Sequence, residues 1–108
     1  MKKEDLRIGN IVRAVIERDT DVTEIVAAVS QIAVNGVYLS GIKNDTGIRF
    51  EYKDIHPISL TKELYDKIEE ENKSMVIPSI YVEHTLDWFQ NIAYFINGRE
   101  IKIERSWI

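Results

Sequence analysis

Along the first half of the chain apolar positions come in short β-branched runs and in alternation, and along the second half they recur at intervals of three and four. Ile11 to Ile16 reads as a strand, and the polar group Arg18-Asp19-Thr20-Asp21 supplies the turn after it. The next apolar stretch, Val22 to Val34, is long enough for one bent strand or two short ones. The bent strand is favoured, with Ala27-Ala28 and Ser30-Gln31 as places for a bend or bulge. Asn35-Gly36, between Ile32 and Val34 on one side and Val37, Tyr38 and Leu39 on the other, predicts a two-residue type I′ hairpin, because both turn positions need positive φ. Asn44-Asp45-Thr46-Gly47 marks the next reversal. Ile48, Phe50 and Tyr52 then alternate with Arg49 and Glu51, which puts the apolar three on an inward face.

Pro57 pushes His56 toward extended geometry, so the strand run ends near there. Thr61 is the cap of a first helix of about ten residues, with Leu60 and Tyr65 placed as a hydrophobic staple and Leu64, Tyr65 and Ile68 on one face. Glu63 is one turn from Lys67, and Glu69, Glu70 and Glu71 oppose the dipole at the C-terminal end, which should fray. Lys73 to Pro78 reads as a connector and Ile80, Tyr81 and Val82 as a short strand. The second helix is the stronger: Thr85 caps it, Asp87 sits in its first turn, and Asn97-Gly98 gives a left-handed stop. Ile101 and Ile103, alternating with Glu100, Lys102 and Glu104, predict a last strand.

These elements define an α+β fold in one domain spanning residues 1–108. A small bent antiparallel sheet, or a partly open SH3-like barrel, covers about residues 8–58; helices follow at about 62–71 and 86–97, and a strand at about 100–104. A chain of this length should bury roughly two thirds of the surface its unfolded form exposes, enough for one core. With 30% charged and 44% hydrophobic residues, disorder, collagen and coiled coil are disfavoured. The start of the chain has no apolar leader-like segment, and no apolar run approaches the roughly 20 residues of a membrane span, so a cytoplasmic protein is expected.

The chain has no cysteine, which removes disulfides, thiolate zinc sites and cysteine nucleophiles together. His56 and His84 each have an acid close by in sequence, Asp54 and Glu83, but neither lies in a ligand-spaced motif, so no metal is expected. The serines and threonines fall in no nucleophile-elbow or S-x-x-K signature, and the five glycines form neither G-x-G-x-x-G nor a P-loop. No cofactor and no catalytic residue is expected. The net charge of −4 opposes long-range attraction to nucleic acid or anionic membrane. Residues 1–18 nevertheless carry Lys2, Lys3, Arg7, Arg13 and Arg18 against Glu4, Asp5 and Glu17, a local positive surplus.

Projected at 100° per residue, the second helix places Leu86, Trp88, Phe89, Ile92, Ala93, Phe95 and Ile96 in an apolar arc. Asp87, Gln90, Asn91, Tyr94 and Asn97 gather opposite. Tyr94 is then an aromatic within a polar face, which is either a contact centre for a partner or a ring packed on the connector or C-terminal tail. Trp107 and Ile108 at the end of the chain dock either on the core or on a partner, a second copy included.

Three segments, DLRIGN (Asp5 to Asn10), HPISLT (His56 to Thr61) and FQNIAYFINGREI (Phe89 to Ile101), resemble a family of small uncharacterised proteins found in Bacteroidota genomes and their phages. Members open with L-R-I-G-N, carry P-I-P-L-T before a helix and end on a segment like L-Q-N-L-Y-F-A-L-T-G-E-E-L. On that match Gln90-Asn91 take the family's Q-N, Asn97-Gly98 its T-G and Glu100-Ile101 its E-L. The histidine that the family commonly carries three residues before the glutamine is Asp87 here, so no histidine role carries over. The resemblance implies a bacterial, phage or mobile-element source and a complete chain; it implies no activity. The RIGNIV opening also looks like the G-x-x-V entry to small SH3-like barrels.

The leading expectation is a non-enzymatic binding or adaptor protein that meets another protein through Asp87, Gln90, Asn91, Tyr94 and Trp107. The alternative is a small-barrel nucleic-acid binder using Arg7, Arg13 and Arg18, and the third is an enzyme with a carboxylate-only site.

Overall fold

The structure, a computed structural model, describes residues 1–18, 21–40, 49–79 and 84–108, with Arg18 by its backbone only. Five antiparallel strands, β1 (Ile11–Arg18), β2 (Asp21–Ala33), β3 (Gly36–Ser40), β4 (Arg49–Phe50) and β5 (Ile55–His56), form one sheet in the order β4-β3-β2-β1-β5. The sheet curls into a half-barrel, and with helices α1 (Lys62–Glu71) and α2 (Leu86–Asn97) it makes an α+β fold. The segment from Val22 onward is one strand, and its pairing with β3 shifts register between Val29 and Gln31. The bulge therefore falls at Ser30, one of the two places the sequence offers. Four exposed residues, Asp21 to Glu24, carry the β1–β2 ribbon beyond the packed region.

The second hairpin is present but its loop sits one residue earlier than predicted. Ala33 pairs with Gly36, so Val34-Asn35 are the loop, and Gly36 opens β3 without a positive φ. Packing explains the glycine: a Cβ on it would lie 2.5 Å from the Phe50 carbonyl oxygen. β4 is only two residues long, and Tyr52 is not on a strand with Phe50. It begins a 3-10 turn, Tyr52–Asp54, from which its hydroxyl donates to the Ala33 carbonyl. Ile48 and the Asn44–Gly47 reversal lie outside the described residues, as do Asp19, Thr20 and the predicted strand at Ile80–Val82.

Thr61 caps α1 as expected, its hydroxyl accepting from the Leu64 amide at 3.2 Å. Leu64, Tyr65 and Ile68 are buried. On the exposed face, the i,i+4 ion pair found among the described residues is Lys62–Asp66 rather than Glu63–Lys67. The C-terminal end of α1 is held, against the expectation that it frays: buried Asn72 donates to the Ile68 carbonyl at 2.7 Å and to the Lys102 carbonyl at 2.9 Å, and accepts from the Lys102 amide at 2.7 Å. The same contact explains why residues 100–104 are not a strand. One asparagine side chain occupies both backbone groups of Lys102 as a ladder partner would, and a 3-10 turn, Arg105–Trp107, follows.

α2 is pinned at its start by a single antiparallel bridge, Ser59 to Thr85, with Leu86 N–H donating to the Ile58 carbonyl and Leu60 N–H to the His84 carbonyl. Gly98, at φ +72°, ends it in the left-handed conformation. Alternation along β1 and β2 feeds two clusters, one on each face of the sheet. Ile11, Val26 and Ala28 join Ile58, Leu64, Ile68, Leu86, Phe89 and Ile101 under the helices. Val12, Ala14, Ala27 and Val29 join Leu6, Val37, Leu39, Phe50 and Ile55 inside the half-barrel. Tyr65 and Phe89 meet edge to face, 5.8 Å between centroids, and lock α1 to α2.

Candidate functional site

The approach to β1 is a tight turn. Gly9, at φ +98°, takes a conformation that a side chain would strain, and Asn10, fully buried, accepts the Arg7 amide on Oδ1 at 2.6 Å. α2 closes over this turn with its polar side chains. Gln90 Oε1 accepts the Ile11 amide at 2.8 Å, and its Nε2 donates to the Gly9 carbonyl at 3.1 Å. Asn91 Oδ1 accepts both Asn10 Nδ2 at 2.8 Å and Arg7 Nε at 2.9 Å. Arg7 also pairs with Glu100 through Nη1, and its guanidinium lies over the Tyr94 ring, 4.4 Å from the centroid. Two of the three segments that carry the family resemblance, DLRIGN and FQNIAYFINGREI, thus face each other in one hydrogen-bond network.

That network relocates the polar face of α2. Gln90 is 2% and Asp87 5% exposed, and Asn91 is half-buried, so three of the residues expected to present a surface to a partner are turned inward. The physical reason is that Ile11 N–H and Gly9 C=O need partners, and a glutamine from a neighbouring helix supplies both at once. Asn97 is spent in the same way, holding the Val76 amide and carbonyl of the connector at 2.8 Å each. Tyr94 keeps an exposed side, but the other is covered by Arg7 rather than by the connector or the tail.

The apolar arc is correspondingly divided. Leu86, Phe89 and Ala93 are buried as expected, whereas Phe95 is 89% and Ile96 48% exposed, and Trp88 and Ile92 are half-buried. Residues 92, 95 and 96 fall at i, i+3 and i+4, so they form one outward stripe, whereas Trp88 packs against the cluster under the helices. Val76, tied to the same end of α2 through Asn97, is exposed beside them in the connector. Sequence periodicity marked these positions as apolar; it carried no sign that they face out, because the sign lay in the inward hydrogen bonds of Gln90 and Asn91.

The opposite end of α2 borders a groove of about 630 Å³ between the N-terminal segment, β5 and the first helical turn. Met1, Lys2, Glu4, Asp5, His56, Asp87 and Trp88 are among its lining residues. The amino terminus is already used, donating to the Tyr52 carbonyl at 2.9 Å and the Ile55 carbonyl at 2.7 Å. Among the described residues two buried side-chain polar atoms have no hydrogen-bond partner, Arg7 Nη2 and Asp87 Oδ1. A buried acceptor left so costs about 1–3 kcal/mol, and more when it is charged. The positive end of the α2 dipole offsets part of that cost for Asp87.

The remaining predicted residues are dispersed. Arg13 lies across β1 and β2 from Glu24, 3.4 Å away and solvent-exposed, and the side chain of Arg18 lies outside the described residues. Arg7 is paired with Glu100 and Arg13 with Glu24. Trp107 and Ile108 are half-buried and pack against the cluster under the helices. His84 stacks on Trp88, 3.8 Å between centroids and 11° between planes, while His56 is exposed at the sheet edge. Among the described residues no group of three histidines or carboxylates is placed to hold a metal ion, and no helix is long and apolar enough to cross a membrane. Burial, reinforced by the negative charge of Glu4, raises the Tyr52 phenol above its ordinary value.

Sequence reasoning missed Asn10 and Asn72. Each is a buried asparagine at the end of an element, a position at which an amide can satisfy backbone groups that regular pairing leaves over. No family model, curated protein or solved structure matches the chain.

Proposed function

We propose that this protein is a non-enzymatic binding module that engages another protein through the outward stripe of α2, in a bacterial, phage or mobile-element setting of the kind its end segments resemble. The observation that carries the reading is Phe95, 89% exposed, in a helical stripe with Ile96 and Ile92. An exposed phenylalanine gains about 1.5–3 kcal/mol when buried against a partner, and stripes at this spacing suit a helix laid into an apolar groove. Gln90 and Asn91 support the binding from behind by fixing the helix rotation, rather than by touching the partner. Trp107 plays a similar supporting part on the core side.

Tagged wild-type protein and the Phe95→Ser variant test this, first by identifying a captured protein and then by titrating that purified protein against both forms. The expected result is one partner whose affinity falls by about tenfold or more in the variant while the fold is retained. Equal affinity of the two forms would overturn the assignment of the stripe. Retention on a nucleic-acid column that disappears with added salt, with no protein captured, would favour the small-barrel nucleic-acid reading instead.

A further inference from the structure

We propose that the groove at the N-terminal end of α2 is a binding site for an organic cation, an ammonium or guanidinium group, with Asp87 as its counter-charge. The site lies at the other end of the helix from Phe95 and does not rest on the protein-binding reading. Its starting point is the carboxylate itself. Asp87 is 5% exposed, lines the groove, and has an oxygen, Oδ1, that is buried without a hydrogen-bond donor. Asparagine at this position would fill the same volume without the desolvated charge, so the present residue is costly unless something donates to it.

The surroundings select among donors. A divalent metal needs several hard ligands, and no such cluster occurs among the described residues. An anion would meet Asp87 together with Glu4 and Asp5, which line the same groove. An ammonium or guanidinium needs only a carboxylate, a neighbouring acceptor and a polarisable face. Trp88, the next residue, lines the groove and supplies the face, with its ring held in place by the stack on His84. Glu4 and Asp5 line the same groove and supply the neighbouring acceptors. Lys2 also lines the groove but is exposed, and it leaves Asp87 Oδ1 without a partner. The amino terminus is not a competitor, because two carbonyls already hold it.

Free polyamines and the lysine or arginine of a peptide share this chemistry. The test titrates the whole protein with n-butylammonium, with its neutral isostere n-pentanol, with spermidine and with a lysine-containing pentapeptide, following the Asp87 amide and Trp88 indole signals by NMR. Saturable shifts with n-butylammonium and none with n-pentanol are expected. Tighter binding of spermidine than of the pentapeptide would identify a free polyamine as the ligand, and the reverse a peptide side chain. Asp87→Asn should keep or raise the melting temperature and weaken cation binding by about tenfold or more, the loss expected when a charge-assisted hydrogen bond is removed. Equal response to the ammonium and the alcohol in the wild-type protein would overturn the proposal whether or not the variant folds. So would undiminished cation binding in Asp87→Asn.

Discussion

In the sheet, β1 and β2 pair residue for residue from Ile11↔Ala28 to Arg18↔Asp21, and backbone satisfies backbone. On the helical flank that covers it, the corresponding work is done by side-chain amides: Gln90 on Gly9 and Ile11, Asn91 on Asn10 and Arg7, Asn72 on Ile68 and Lys102, Asn97 on Val76. A ladder tolerates many side chains because its bonds belong to the main chain. An amide clasp depends on one residue, and it decides which way a helix faces. That difference is why the flank has an apolar stripe turned outward while the sheet buries apolar residues on both faces.

The strongest way to break this comparison is Gln90→Leu, which keeps the volume and removes both contacts. Two buried backbone groups, Ile11 N–H and Gly9 C=O, lose their side-chain partner, and the expected destabilisation is about 2–4 kcal/mol. Chemical denaturation measures it. The sheet-side counterpart, Thr23→Val on the exposed end of β2, should change stability by less than about 0.5 kcal/mol. Similar costs for the two would show that the flank does not depend on its amides.

Asn72→Ala should cost less, about 1–2 kcal/mol, because the groups it frees are nearer to water. Its effect should also be local. Hydrogen exchange is expected to lose protection at the Lys102 amide and the last turn of α1, with β1 and β2 amides unchanged at matched stability. Uniform loss along the whole chain would mean that Asn72 belongs to the global core instead.

The same division governs what could be read from the chain beforehand. The strands of the sheet core and both helices follow from period and capping signals, since Val12, Ala14, Ala27, Val29, Leu64, Ile68, Phe89 and Gly98 do locally what their types favour. The hairpin at Val34-Asn35 was displaced by one residue because Gly36 answers to β4, which is distant information. Residues 100–104 alternate like a strand, and only the spatial neighbour Asn72 shows why they are not one. For the candidate site, the helix and its aromatic residues were legible, but its rotation was not. A helical wheel assumes that polar means outward, and Asp87, Gln90 and Asn91 point inward or are covered.

Tyr52 sharpens the comparison by being an exception on the sheet side, a side chain that closes the half-barrel through its hydroxyl bond to Ala33. Burial and Glu4 raise its pKa in the folded protein above the ordinary value near 10, so the folded state favours the protonated phenol. The associated stability is fully present below pH 10 and is lost as pH rises through the folded value. Denaturation series from pH 9 upward should show the wild-type protein losing stability that Tyr52→Phe does not lose, on top of a modest constant deficit in the variant from the missing hydrogen bond. Parallel pH curves for the two would remove Tyr52 from the account.

The smallest expected change in stability belongs to the residue with the largest expected effect on binding. Phe95 is 89% exposed, so Phe95→Ser removes almost no buried area and should alter the unfolding free energy by less than about 0.5 kcal/mol. Serine has somewhat lower helix propensity than leucine or alanine but close to that of phenylalanine, which leaves α2 itself unaffected. A larger destabilisation would mean that Phe95 is packed in solution, and the outward stripe would lose its centre. An unchanged melting curve together with lost partner affinity would separate the two flanks of α2 cleanly. The inward amides would then set the helix rotation, and the outward aromatic would use it.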